Sequence, residues 1–101
     1  MKKHQEAVDK LFKENNWQYW SPLSILARLF EEGGEFARIV NHIFGDKKKK
    51  TDEAEQNLED EIGDILYTLI CFANSQNIDL DKAIEQNINK VATRDKNRFN
   101  K

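Results

Sequence analysis

Apolar residues along this chain recur every three or four positions, and the strict alternation of a half-buried strand is absent, so the chain is predicted to be all helix. In the first run, from about Lys3 to Asn15, Ala7, Val8, Leu11 and Phe12 fall at helical spacing. Trp17, Tyr19 and Trp20 follow in a segment with little periodicity. Ser21-Pro22 reads as a helix start, because the serine hydroxyl can accept from a free N–H of the first turn and proline sits where its missing N–H is not needed. The second helix carries Leu26, Leu29, Phe30, Phe36, Ala37, Val40, Ile43 and Phe44 as a broad apolar stripe and stops at Gly45. Asp46 to Lys50 form a polar loop. Thr51 is expected to cap the third helix, which bears Leu58, Ile62, Ile65, Leu66, Leu69, Phe72 and Ala73 and runs to about Gln76. Asn77 suits the left-handed position beyond its end. Asp79 is expected to cap the fourth, whose Leu80, Ile84, Ile88 and Val91 share one side and which continues to about Phe99.

Two tetrads stand out within these helices: Glu32-Gly33-Gly34-Glu35 and Glu61-Ile62-Gly63-Asp64. Residues three apart on a helix point the same way, so two facing helices would converge four carboxylates on one place. Such a cluster needs cations. With oxygen ligands only and neither His4 nor His42 near a tetrad, hard ions such as Mg²⁺, or Mn²⁺, fit best. Glu59 also lies near the apolar arc, and only the spacing to Asp64 selects Glu61. Glu32, flanked at helical spacing by Ile25, Leu29, Phe36 and Ile39, is expected to be half exposed. Each internal glycine costs about 1 kcal/mol relative to alanine, which suggests close approach of a helix or ligand beside the carboxylates. Against this stands the ordinary reading of an acidic run as a solvated face.

With 101 residues the chain is one domain, and a substrate-sized site forms most easily between subunits, so oligomerisation is expected. Its 39% hydrophobic residues suffice for a helical core, and 34% charged residues with a net charge of −2 argue against direct nucleic-acid binding. The single cysteine, Cys71, lies in an apolar stretch and reads as a packed core residue compatible with a reducing compartment. Neither a membrane-spanning segment nor a signal peptide is evident, so a soluble cytoplasmic protein is expected.

The fourth helix aligns Asn87, Lys90, Arg94 and Arg98 at steps of three, four and four. That stripe could meet phosphate, Lys90 as a point charge and Arg94 as a bidentate donor, or form a solvated basic end suited to the helix dipole. Trp17 and Trp20 offer flat faces for a nucleobase, or plug the end of the bundle. Tyr67, three residues after Asp64, is a candidate neighbour of the site. Lys47 to Lys50 could fold over phosphates as a flap or remain solvated.

These residues resemble the MazG-like all-α nucleoside triphosphate pyrophosphohydrolases, whose signature is Glu-x-x-Glu on one helix and Glu-x-x-Asp on the next. Glu32 and Glu35 match the first pair; Glu61 and Asp64 match the second. The resemblance extends from about Leu23 to Phe99 and includes Lys90 and Arg94-Asp95-Lys96-Asn97-Arg98-Phe99. It implies a compact four-helix bundle completed as a homodimer or homotetramer. It also implies Mg²⁺ on the four carboxylates and hydrolysis of a nucleoside triphosphate to monophosphate and pyrophosphate. A glutamate would take the proton of the attacking water, Glu32 or Glu35, with Glu31 able to assist. Asn87, with Trp17, Trp20 and Tyr67, is grouped on the nucleoside side. A di-iron carboxylate bundle is disfavoured because it normally adds Glu-x-x-His pairs, which His4 and His42 do not supply. The stronger rival is a non-catalytic helical dimer acting as a nucleotide-binding or regulatory module.

Overall fold

The periodicities become four helices: α1 (Lys2–Glu14), α2 (Pro22–Phe44), α3 (Thr51–Ser75) and α4 (Leu80–Phe99). The structure is a computed structural model describing the backbone of residues 1–45 and 51–99 and the side chains of 1–45 and 58–96. The lysine run Lys47 to Lys50 lies outside the described residues, as do the side chains of Thr51 and Arg98. No strand occurs among the described residues, and no helix there is long and apolar enough to cross a membrane.

The helix ends follow local chemistry. Ser21 Oγ accepts from the Ser24 N–H at 3.2 Å with Pro22 opening the first turn, and Asp79 Oδ1 accepts from the N–H groups of Asp81 and Lys82 at 2.9 and 3.3 Å. Asn77 adopts φ 56°, and the Ile78 N–H then reaches back to the Ala73 carbonyl at 2.8 Å. Gly45 ends α2 for a different reason. Its φ is −87°, but a Cβ there would run into the Asn41 carbonyl oxygen, which its own N–H reaches at 2.8 Å.

Helices α2 and α3 pack as an antiparallel pair. Ile25, Leu26 and Leu29 near the start of α2 line a small apolar cavity with Thr68, Leu69 and Phe72 of α3, whereas Glu32 further along α2 faces Glu61 and Asp64 earlier in α3. Buried apolar positions among the described residues are Ile25, Ile39, Ile70, Cys71 and Ala73, so the cysteine packs as expected.

A polar network absent from the periodicity argument fastens α1 to the α3–α4 turn. Asn74 Nδ2 donates to the Gln5 carbonyl and to the Tyr19 hydroxyl, each at 3.0 Å, and its Oδ1 accepts from Gln5 Nε2 at 3.0 Å. Gln5 Nε2 also donates to the Ile78 carbonyl at 2.8 Å, and its Oε1 accepts from the Leu80 N–H at 3.0 Å. Tyr19 donates to Asp9 and stacks on Phe12 with centroids 4.3 Å apart; burial first, then the Asp9 bond, push its pKa up to about 12. Asn74→Ala is expected to cost about 1–3 kcal/mol, because it strands partners on α1 and the aromatic segment at once. Thermal melting tests this; an unchanged Tm would contradict it.

One chain does not close the bundle. Its radius of gyration is 17.1 Å, against about 13 Å for a compact domain of this length. Among the described residues α4 packs extensively against no other helix, and Leu23, Phe30, Phe44 and Ile88 are 78%, 73%, 74% and 57% exposed.

Candidate metal centre and aromatic pocket

Antiparallel packing brings Glu32, Glu61 and Asp64 together, each with a carboxylate oxygen within 4.8 Å of the others. Glu32 is buried at 7% exposure, where half exposure is expected from its position at the edge of the stripe. The correction has a physical cause: α3 covers the border of the α2 stripe, which the pattern of α2 alone does not reveal. Glu59, the competing acid, is exposed, and Glu61 turns inward.

One oxygen of Glu32 and one of Glu61, Oε2 in each case, are buried without a hydrogen-bond partner among the described residues. A buried carboxylate oxygen normally finds a donor, so these two orphans mark a place for a proton or a cation. Burial pushes the Glu32 pKa up, reinforced by the charges of Asp64 and Glu35, with Arg28 pulling the other way. Burial likewise raises Glu61, followed by Glu35, Asp64 and Glu32, against Arg38. The donor set is all oxygen, anionic and partly desolvated, which fits a hard divalent cation.

Glu35 is exposed and outside the three-carboxylate group, although its charge acts on both Glu32 and Glu61. Of the two expected reasons for the glycines, close approach of a helix is not found among the described residues, which leaves the approach of a ligand. A Cβ at Gly33, Gly34 or Gly63 would meet nothing within 4 Å, so these positions border open space rather than a neighbouring helix.

Phe12, Asn16, Trp17, Gln18, Trp20 and Tyr67 line a pocket of about 530 Å³. Trp17 and Trp20 are each 53% exposed, and Trp17 meets Phe12 edge to face with centroids 5.6 Å apart. Tyr19 is the bundle plug of this segment, and the two tryptophans wall the pocket. Tyr67 belongs to the pocket and neighbours Cys71; burial raises the pKa of both groups. Asn87 lies elsewhere, in an apolar groove with Leu66, Leu69, Leu80 and Ile84. Lys90 and Arg94 are exposed on α4, and Arg94 Nε lies 3.5 Å from Asp95. The cations with the largest pull on the buried glutamates are Arg28 and Arg38. Sequence reasoning missed both. For Arg28 a signal was present, namely its position four residues before Glu32.

Residues 20–99 match the MazG nucleotide pyrophosphohydrolase domain. The YpjD protein of Bacillus subtilis (strain 168) is 46% identical over 99 residues, covering 98% of this chain and 89% of that protein. A crystal structure of Bacillus subtilis YpjD, described as a candidate pyrophosphatase, is similar with a TM-score of 0.79 and 45% identity, covering 93% of this chain and 94% of that one. A Bacillus-conserved MazG protein, a nucleotide pyrophosphohydrolase, gives a TM-score of 0.77 at 43% identity, covering 89% of this chain and 86% of its own.

Proposed function

We propose, from the premise that this chain belongs to the MazG nucleotide pyrophosphohydrolase family, that it hydrolyses a nucleoside triphosphate to the monophosphate and pyrophosphate with Mg²⁺ as its ion. The single observation that supports the metal assignment best is the pair of buried, unpartnered oxygens on Glu32 and Glu61 beside Asp64. Glu32, Glu61 and Asp64 would hold the ion, with Glu35 joining them by rotation or acting from the rim. Mn²⁺ satisfies the same donor set. A bound divalent cation draws charge from the phosphoryl oxygens and makes a nearby water a better nucleophile.

The chain's own groups do the rest. The water oxygen forms a bond to the α-phosphorus, the bond from that phosphorus to the α–β bridging oxygen breaks, and pyrophosphate leaves with the bonding electrons while the water proton passes to a carboxylate. Glu35 is the better proton acceptor, because Glu32 and Glu61 are engaged in the buried cluster while Glu35 stands exposed beside it. Trp17, Trp20 and Tyr67 receive the base in a pocket large enough for one. Lys90, Arg94 and Arg98 are assigned to the terminal phosphates, and Asn87 to the nucleoside side, on sequence phasing. Since Lys90 and Arg94 stand exposed on α4, these roles are expected to involve a second copy that brings that helix to a site.

The exposed apolar faces of α2 and α4 support a homodimer, or a homotetramer built from it. Sedimentation equilibrium is expected to give at least twice the chain mass, and Ile88→Glu to shift it towards monomer with loss of turnover. A monomeric, active wild type would refute this assembly. The activity itself is tested by pyrophosphate release from the common ribo- and deoxynucleoside triphosphates, with Mg²⁺ and with EDTA. The absence of ion-dependent release from every triphosphate would favour the non-catalytic binding module.

A further inference from the structure

The aromatic pocket and the carboxylate cluster are joined by one side chain. Arg28 places its guanidinium carbon 5.3 Å from the centroid of Trp20 and its Nε 3.5 Å from Glu32 Oε1. It therefore spans the distance between the wall of the base pocket and the metal centre. It also lines, with Trp20, Ser24, Ala27 and Glu31, an open groove of about 320 Å³ along the start of α2.

A nucleotide with its base in the aromatic pocket and its anhydride at the carboxylates has to pass this point with the phosphate nearest the sugar. We propose that Arg28 is the residue that contacts that phosphate, an inference that rests on the function given above. The ion pair with Glu32 is made at Nε and is long for a charge-assisted bond, so among the described residues the Nη groups remain able to grip an anion. The cation–π contact with Trp20 holds the guanidinium near this position beforehand, which reduces the ordering needed when phosphate arrives. Glu31 borders the same groove and opposes an anion there, but it is exposed and can turn to solvent. Arg28 is also half exposed, at 49%, so a bound oxygen can reach it without repacking the core.

The experiment is calorimetric titration of the four common deoxynucleoside monophosphates and their parent nucleosides, with saturating Mg²⁺ so that the carboxylates do not repel the phosphate. Wild type is expected to prefer a monophosphate over its nucleoside, and Arg28→Gln to lose about tenfold of that preference while binding the nucleoside unchanged. Arg28→Lys should recover only part of it, having the charge without the planar fork. An unchanged preference in Arg28→Gln overturns the assignment and leaves the nucleotide site standing. An equal loss for monophosphate and nucleoside also overturns it, because Arg28 would then serve only to hold Trp20. If wild type binds neither ligand, the nucleotide site itself fails, and the Arg28 contact with it.

Discussion

Asp64→Ala is expected to lower divalent-dependent pyrophosphate release by more than about a hundredfold, since even indirect supports of a metal ligand are worth about 10–100-fold. Asp64 is the exposed member of a cluster whose other two acids are partly or fully covered, so its removal opens no core cavity and the helical content should be unchanged. Glu61→Ala should have the same effect on turnover. Glu59→Ala is the control, because Glu59 is two residues away on the same helix yet exposed and outside the cluster. Assays at saturating Mg²⁺ with circular dichroism on each variant provide the check. Near wild-type turnover for Asp64→Ala, or equal losses for Glu59→Ala and Glu61→Ala, would remove the metal assignment.

The second large effect is on stability. Glu32 and Glu61 have folded pKa values above their ordinary 4.5, chiefly through burial and then through the neighbouring acids. Below pH 4.5 folded and unfolded chains both hold these protons, and there is no contribution. As pH rises from 4.5 through the folded values, the unfolded chain releases protons that the folded chain keeps, so the unfolding free energy falls. Above the folded values the loss is complete and persists. Asp81 has the opposite sign, but its lowered pKa acts below its ordinary 3.8 and so outside this window. The metal-free protein should therefore lose Tm as pH rises above 4.5, and Glu32→Gln should flatten that slope and raise Tm on its alkaline side. A divalent ion held at a hundred times its pH 8 dissociation constant should restore about 2.7 kcal/mol, or roughly ten degrees or more, at pH 8, and the same concentration should restore much less at pH 5. Scanning calorimetry at both pH values, with EDTA and with Mg²⁺, decides it. A stabilisation by Mg²⁺ that is equal at the two pH values would show that the ion does not displace protons from these carboxylates.

What the sequence by itself determined is local or periodic. Ser21-Pro22, Asp79 and Asn77 set helix ends through hydrogen bonds and dihedrals within a few residues, so their roles can be read without knowing the fold. The same holds for the shared direction of Glu61 and Asp64, because three residues of a helix fix it. The tertiary structure decided which faces meet. Only the antiparallel contact of α2 and α3 buries Glu32, separates Glu61 from Glu59 and leaves two oxygens without donors. Gln5 and Asn74 are more than sixty positions apart and carry no periodic signal, so their network exists only through chain return. Arg28 is the intermediate case. Its spacing to Glu32 was legible, but its contact with Trp20, eight positions away, depends on how the non-helical aromatic segment enters α2, which no helical period encodes.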